Sequence, residues 1–189
     1  MKKFLTLRNV LICGAVLFAL LVFLFSFMAA YRVTPSNGHW YQSQTIIWGS
    51  RTTKNWDGSS YTASANDAEK ALGLPIVGAI FALLVAGGLV LVLLLGEKLF
   101  KDEKIRKIVL FALAGLLVLA GIFTFFAQLQ FETNIAKEAN MTLKEYHDFM
   151  KDMNWKASCG LPIVSGILAM LGGAAVAASQ FIPDKQLAK

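Results

Sequence analysis

The chain has 189 residues, is 56% hydrophobic and only 16% charged, and carries a formal net charge of +6. That composition is too apolar for an ordinary soluble domain. The basic residues are mixed with acids in short flanks and loops, which argues against nucleic-acid binding.

Four apolar runs, at about 9–31, 73–96, 108–128 and 160–181, contain no Asp, Glu, Lys or Arg. Each reaches the roughly 20 residues a helix needs to cross the hydrocarbon core, and none has the polar face of a soluble bundle helix. The first run follows Lys2, Lys3 and Arg8. It is longer than the apolar region of a signal peptide and is read as an uncleaved helix. Cys13 lies near one end of this run and Cys159 beside the last. On opposite sides of a core ~30 Å thick, they are too distant for a disulfide. Span one is rich in Phe18, Phe23, Phe25 and Phe27, and span three has Phe111, Phe123, Phe125 and Phe126. These rings are read as packing or lipid-facing groups.

The first outer segment, 32–72, holds His39, Trp40, Tyr41, Trp48, Trp56 and Tyr61. Trp40 to Trp48 reads as one or two short strands, with Thr45, Ile46 and Ile47 favouring β structure. Asp57-Gly58 signals a turn, and Ser60, Tyr61 and Thr62 suit a strand after it. A small antiparallel sheet on the helices is expected, followed by a helical turn over Ser64 to Lys70. Tryptophan suits both the lipid–water interface and a partner-binding surface. Trp40, Trp48, Trp56, Tyr61, Tyr146 and Phe149 are the candidate partner contacts.

Span two opens with Gly73-Leu74-Pro75-Ile76-Val77-Gly78, and span four repeats it as Gly160-Leu161-Pro162-Ile163-Val164-Ser165. Proline fits a first helical turn, whose N–H groups have no intrahelical partner. A small-residue stripe follows: Gly78, Ala82 and Ala86 in span two, and Ser165, Ala169, Gly173 and Ala177 in span four. Spacing by four puts each set on one helix face, and such faces allow close helix packing in membranes. The partner helix belongs either to this chain or to another.

Between spans two and three lie Lys98, Lys101, Lys104, Arg106 and Lys107, and after span four Lys185 and Lys189. With the N-terminal lysines they mark one side as cytoplasmic, so the reading is a multi-pass cell-membrane protein with both termini inside. The two outer segments hold basic and acidic residues in equal number.

The second outer segment, 129–159, is expected to be helical. Phe131 to Ala139 extends span three, and Thr142 and Glu145 form a capping box for a further helix. Leu143, Tyr146, Phe149, Met150 and Met153 fall on one side of it. This side is expected to pack on the first outer segment rather than on the membrane. Asn140-Met141-Thr142 matches a glycosylation acceptor, a short motif frequent by chance.

The fold expectation is an all-α integral membrane protein with four transmembrane helices. They form two tandem parallel hairpins, residues 1–96 and 97–189, with a β-rich first and a helical second outer segment. In outline this layout, with Trp40 and Trp48-Gly49 in the larger first outer segment, resembles the claudin-like tetraspan proteins. It departs from them in having no paired cysteines in that segment.

No cofactor, metal or catalytic motif stands out. A site built on His39 or His147 would need a carboxylate such as Asp57 or Asp148 to meet it in a cleft. The functional expectation is a non-enzymatic accessory, scaffold or assembly subunit of a membrane complex. It would contact lipid and other integral membrane proteins or itself through the small-residue faces and the aromatic outer surface. A small transporter or oligomeric channel is the alternative, with Ser26, Thr124 or Ser165 as path-lining groups.

Overall fold

The computed structural model describes residues 6–35, 41–55, 57, 59–64 and 72–182. Among them are six helices: α1 (Leu7–Phe25), α2 (Gly73–Leu99), α3 (Glu103–Phe125), α4 (Ala127–Glu138), α5 (Leu143–Asp152) and α6 (Gly160–Ser179). There are also five strands: β1 (Tyr31–Pro35), β2 (Tyr41–Thr45), β3 (Ser50–Asn55), β4 (Ser60–Ser64) and β5 (Trp155–Ser158). Four helices are long and apolar enough to cross a membrane: Leu7–Phe25, Gly73–Gly96, Glu103–Glu138 (α3 running on into α4) and Gly160–Ser179. Both Gly-Leu-Pro copies open a helix, so Pro75 and Pro162 sit in first turns, as the missing N–H favours. The chain divides into two compact units that cut across the sequence repeat.

The first unit comprises Met1–Phe23, Val77–Ile122 and Ser165–Lys189. Its core is one cluster fed by four helices: Ile12, Ala15, Ala19 and Val22 from α1; Ala82, Val85, Ala86, Leu89 and Val92 from α2; Leu110, Ala114, Leu117 and Ala120 from α3; Ala169 and Val176 from α6. Helical spacings, mostly three, four or seven, keep each set on one face. The outward faces are equally apolar, with Leu84 64% and Ile108 67% exposed, which suits lipid rather than water as the surrounding medium. Helices α3 and α6 approach closely. A Cβ on Gly121 would lie 2.8 Å from the Gly166 carbonyl oxygen, and one on Gly173 would lie 2.8 Å from that of Ala114. Only glycine permits this backbone-to-backbone packing.

Arg8, placed by sequence in a charged flank, is instead buried in the first turns of α1. Its Nη2 donates to Gln180 Oε1 at 3.1 Å. Gln180 in turn donates to Ser179 Oγ at 2.6 Å and to the Val176 carbonyl at 3.3 Å.

The second unit comprises Leu24–Ile76 and Phe123–Val164. Its sheet is antiparallel throughout, in the order β4-β3-β2-β1-β5. The expected strands over 40–48 and 60–62 are present as β2 and β4. Strands β1 and β5 correct the sequence reading. The apolar run suggests a first span to about residue 31, but α1 ends at Phe25 and Tyr31 already belongs to β1. The second outer segment, expected to be helical, ends in β5, which pairs Val33 with Ala157 and Pro35 with Trp155. That pairing joins residues more than a hundred positions apart and leaves no local signature in a four-residue strand.

Behind the sheet, Tyr31 stacks on Phe131 with centroids 4.9 Å apart. Tyr146 and Met150 of α5 are buried with Ala136, against Val33, Trp155 and Ala157. Helix α4 extends α3 as expected, and the α5 capping box forms: Thr142 Oγ1 accepts from the Glu145 N–H, and Glu145 Oε2 accepts from the Thr142 N–H. These hydrogen bonds hold the Glu145 carboxyl below its ordinary pKa, that from the Thr142 N–H contributing most. The buried face of α5 is narrower than the periodicity suggests, because Phe149 and Met153 point outward. Asp57 Oδ1 accepts from the Ser59 N–H at 2.8 Å, a turn-type contact at the expected place. The expected helical turn lies almost wholly outside the described residues, as does His39.

Candidate functional site

The small-residue faces are used inside the chain. Gly78, Ala82, Ala86, Ser165, Ala169 and Gly173 are buried, and Ala177 is half-buried against the core cluster. Each lacks the side-chain bulk that would hold neighbouring helices apart. Of the polar groups considered for a path, Ser26, Thr124 and Ser165 are all buried.

Of the aromatic candidates, Trp48 is the best defined. Its ring stacks on Phe27 with centroids 5.3 Å apart and planes 12° apart. The indole Nε1–H donates to Ser26 Oγ at 2.9 Å. Trp48 is 38% and Phe27 53% exposed. The pair forms because the β2–β3 connection turns at Gly49, whose φ of 91° suits glycine, and the Gly49 N–H donates back to the Ile46 carbonyl. Tyr146 is buried and Phe149 exposed. Trp40 and Trp56 lie outside the described residues. Tyr61 pairs with Thr53 in the β3–β4 ladder, and its side chain lies outside the description.

Sequence reading missed one constellation. Helices α4 and α5 and strand β5 line an open cleft of about 410 Å³ with Gln128, Glu132, His147, Lys151, Asn154 and Lys156 on its polar side. Glu132 accepts from Gln128 Nε2 and from His147 Nε2, each at 2.9 Å. The contact ties the His147 ring to the carboxylate through Nε2. The Glu132 side chain is 8% exposed and that of His147 53%. His147 therefore meets a carboxylate in a cleft, though neither Asp57 nor Asp148. The signal available was the i, i+4 pair Gln128 and Glu132 beyond the end of span three.

Two neighbouring groups are strongly perturbed. Burial, with the Glu132 charge second, pushes the Cys159 thiol up to about 12. Burial, then the 2.8 Å hydrogen bond to the Tyr146 hydroxyl, pushes the Tyr31 phenol upward. Both cysteines are free thiols. Among the described residues no three His, Cys, Asp or Glu side chains converge as metal ligands. No Ser, Thr or Cys lines the cleft. The arrangement orients an imidazole and presents ammonium groups.

Four apolar helices long enough to cross a membrane define a multi-pass membrane protein. The chain matches no protein-family model and no curated protein.

Proposed function

We propose that this chain is an integral membrane scaffold or assembly subunit, without chemistry of its own, that holds a partner membrane protein through its outer unit. The observation that carries this reading is the Phe27–Trp48 pair. It is a large apolar surface, exposed yet fixed by stacking and by the Ser26 hydrogen bond, and rigid aromatic anchors of this kind dominate binding energy at interfaces. The small-residue faces support the reading differently from the sequence expectation. They are spent on the chain's own core, so a partner meets the outer aromatic surface or the bulkier lipid-facing side chains.

The test is a photo-crosslinking residue placed at position 48, with a second at the lipid-facing position 84 as control, followed by isolation from native membranes in mild detergent. A stoichiometric adduct to one protein from position 48, lost in Phe27→Ala, supports the proposal. Its mass separates another membrane protein from a second copy. A chain recovered alone from both positions overturns it, and flux measurements in reconstituted vesicles then address the transporter alternative.

A further inference from the structure

We infer that Asn140, on the connection between α4 and α5, is a modification site that carries an N-linked glycan. Asn140-Met141-Thr142 has the acceptor form Asn-x-Ser/Thr, with no proline between. A three-residue match is frequent by chance; the turn that holds this one makes its amide reachable. Residues Lys137 through Thr142 are exposed without a break. Helix α4 closes there on a left-handed residue. Asn140 has φ 54°, its N–H donates to the Lys137 carbonyl at 3.0 Å, and the Met141 N–H donates to the Ala136 carbonyl at 2.8 Å. Glycine is the usual residue at such a position and adopts it without the penalty of a Cβ. The chain holds an asparagine instead, and among the described residues its side-chain amide makes no hydrogen bond. The turn thus uses the backbone of Asn140 and leaves the amide free.

Thr142 is available as well. Its Oγ1 accepts from the Glu145 N–H at 3.2 Å as the cap of α5, which leaves the hydroxyl hydrogen free to donate. The acceptor motif requires this hydroxyl two places after the asparagine. The lysine-rich loops assign the other side of the membrane to the cytoplasm, so segment 129–159 faces the side on which N-glycans are carried. The co-reactant is an oligosaccharide linked to a polyprenyl diphosphate, brought with a separate transferase. A bond forms between Asn140 Nδ2 and the anomeric carbon of the first sugar as the bond from that carbon to the diphosphate oxygen breaks. The diphosphate leaves with the electron pair, one amide proton passes to a base, and nothing is oxidised or reduced. Asn154 is also left-handed, with φ 55°, but Trp155 and Lys156 follow it and no hydroxyl stands two places on. It serves as a negative control within the same chain.

The full-length chain is isolated from its native membranes in mild detergent and cleaved with trypsin, and the peptide Glu138–Lys144 is weighed by mass spectrometry. It is expected to exceed its sequence mass by a whole number of sugar residues, with the added mass on Asn140. The peptide that holds Asn154 should carry none. Two variants separate the modification from folding. Asn140→Gly keeps the left-handed turn, and Thr142→Asp keeps a good helix cap. Both should lose the added mass completely while helicity matches the wild type. Thr142→Ser, which keeps the hydroxyl, should retain it. A native Glu138–Lys144 peptide with its bare sequence mass overturns the assignment. Added mass that persists in Thr142→Asp overturns it too, because the acceptor would then play no part. The scaffold proposal is read at Trp48, so the two can fail independently.

Discussion

His147 donates through Nε2 to Glu132 Oε2 at 2.9 Å across a gap of 15 positions, and the carboxylate is shielded while the imidazole faces the cleft. The bond ties α5 back to α4 next to the connection that turns at Asn140, whose φ is 54°. Removing this shielded carboxylate would delete both hydrogen bonds at once, including the one that links the two helices.

Glu132→Ala should loosen the α4–α5 pair. Hydrogen bonds to a charged group contribute about 2 kcal/mol, so amide exchange in α5 should accelerate roughly thirtyfold, since each 1.4 kcal/mol is about tenfold. Glu132→Gln retains an acceptor and should show a smaller change. Unaltered α5 protection in Glu132→Ala would mean that the sheet alone holds this helix.

The parts of this architecture that were legible in the sequence are those whose causes are local. Gly-Leu-Pro at 73 and 160 fixes two helix starts, since proline tolerates only the first turn. Thr142 and Glu145 announce the α5 cap because both hydrogen bonds close within three residues. The apolar runs disclose four spans by length alone. What was not legible depends on distant partners. Strand β5 exists because β1 offers it an edge, and Tyr31 was absorbed into an apolar run that continues to Ala30. Arg8 looked like a solvated flank because nothing near it in sequence names Gln180. The cleft was hidden for the same reason, since Glu132 and His147 are unremarkable surface types until two helices fold together.

Arg8 and Gln180 should couple. Arg8 is buried with Nη2 on the Gln180 side-chain oxygen at 3.1 Å. Gln180→Ala removes an acceptor from a shielded charge, whereas in an Arg8→Met, Gln180→Ala double variant no guanidinium remains to be served. A double-mutant cycle on detergent thermostability should give a coupling of about 1–2 kcal/mol. Strictly additive single effects would show that the pair contributes nothing to the bundle.

Alkaline pH should weaken the second unit. Cys159, raised from 9.0 to about 12, and Tyr31, raised above its ordinary 10.0, stay protonated in the folded chain while their unfolded counterparts ionise. Their stabilisation is thus full below pH 9 and declines as pH rises. The decline begins with Cys159 at about 1.4 kcal/mol per pH unit and steepens above pH 10 as Tyr31 joins. Amide exchange of β1 and α5, corrected for its intrinsic pH dependence, should report it. Cys159→Ala should flatten the interval between pH 9 and 10. A variant curve parallel to wild type in that interval would remove Cys159 from the account.

Glycine substitutions in the bundle should sort by what a new Cβ meets. At Gly173 it would lie 2.7 Å from Val118 Cγ2 and 2.8 Å from the Ala114 carbonyl oxygen, whereas at Gly115 nothing lies within 4 Å. The Ala114 contact is backbone and cannot be relieved by a rotamer change, so α3 and α6 must separate. Overpacking of this kind costs about 1–3 kcal/mol, and Gly173→Ala should lower the midpoint of thermal aggregation in detergent. Gly115→Ala meets no such obstacle and gains about 0.5–1 kcal/mol from helix propensity, so its midpoint should hold or rise. Equal behaviour of the two variants would mean that α3 and α6 do not meet through these residues.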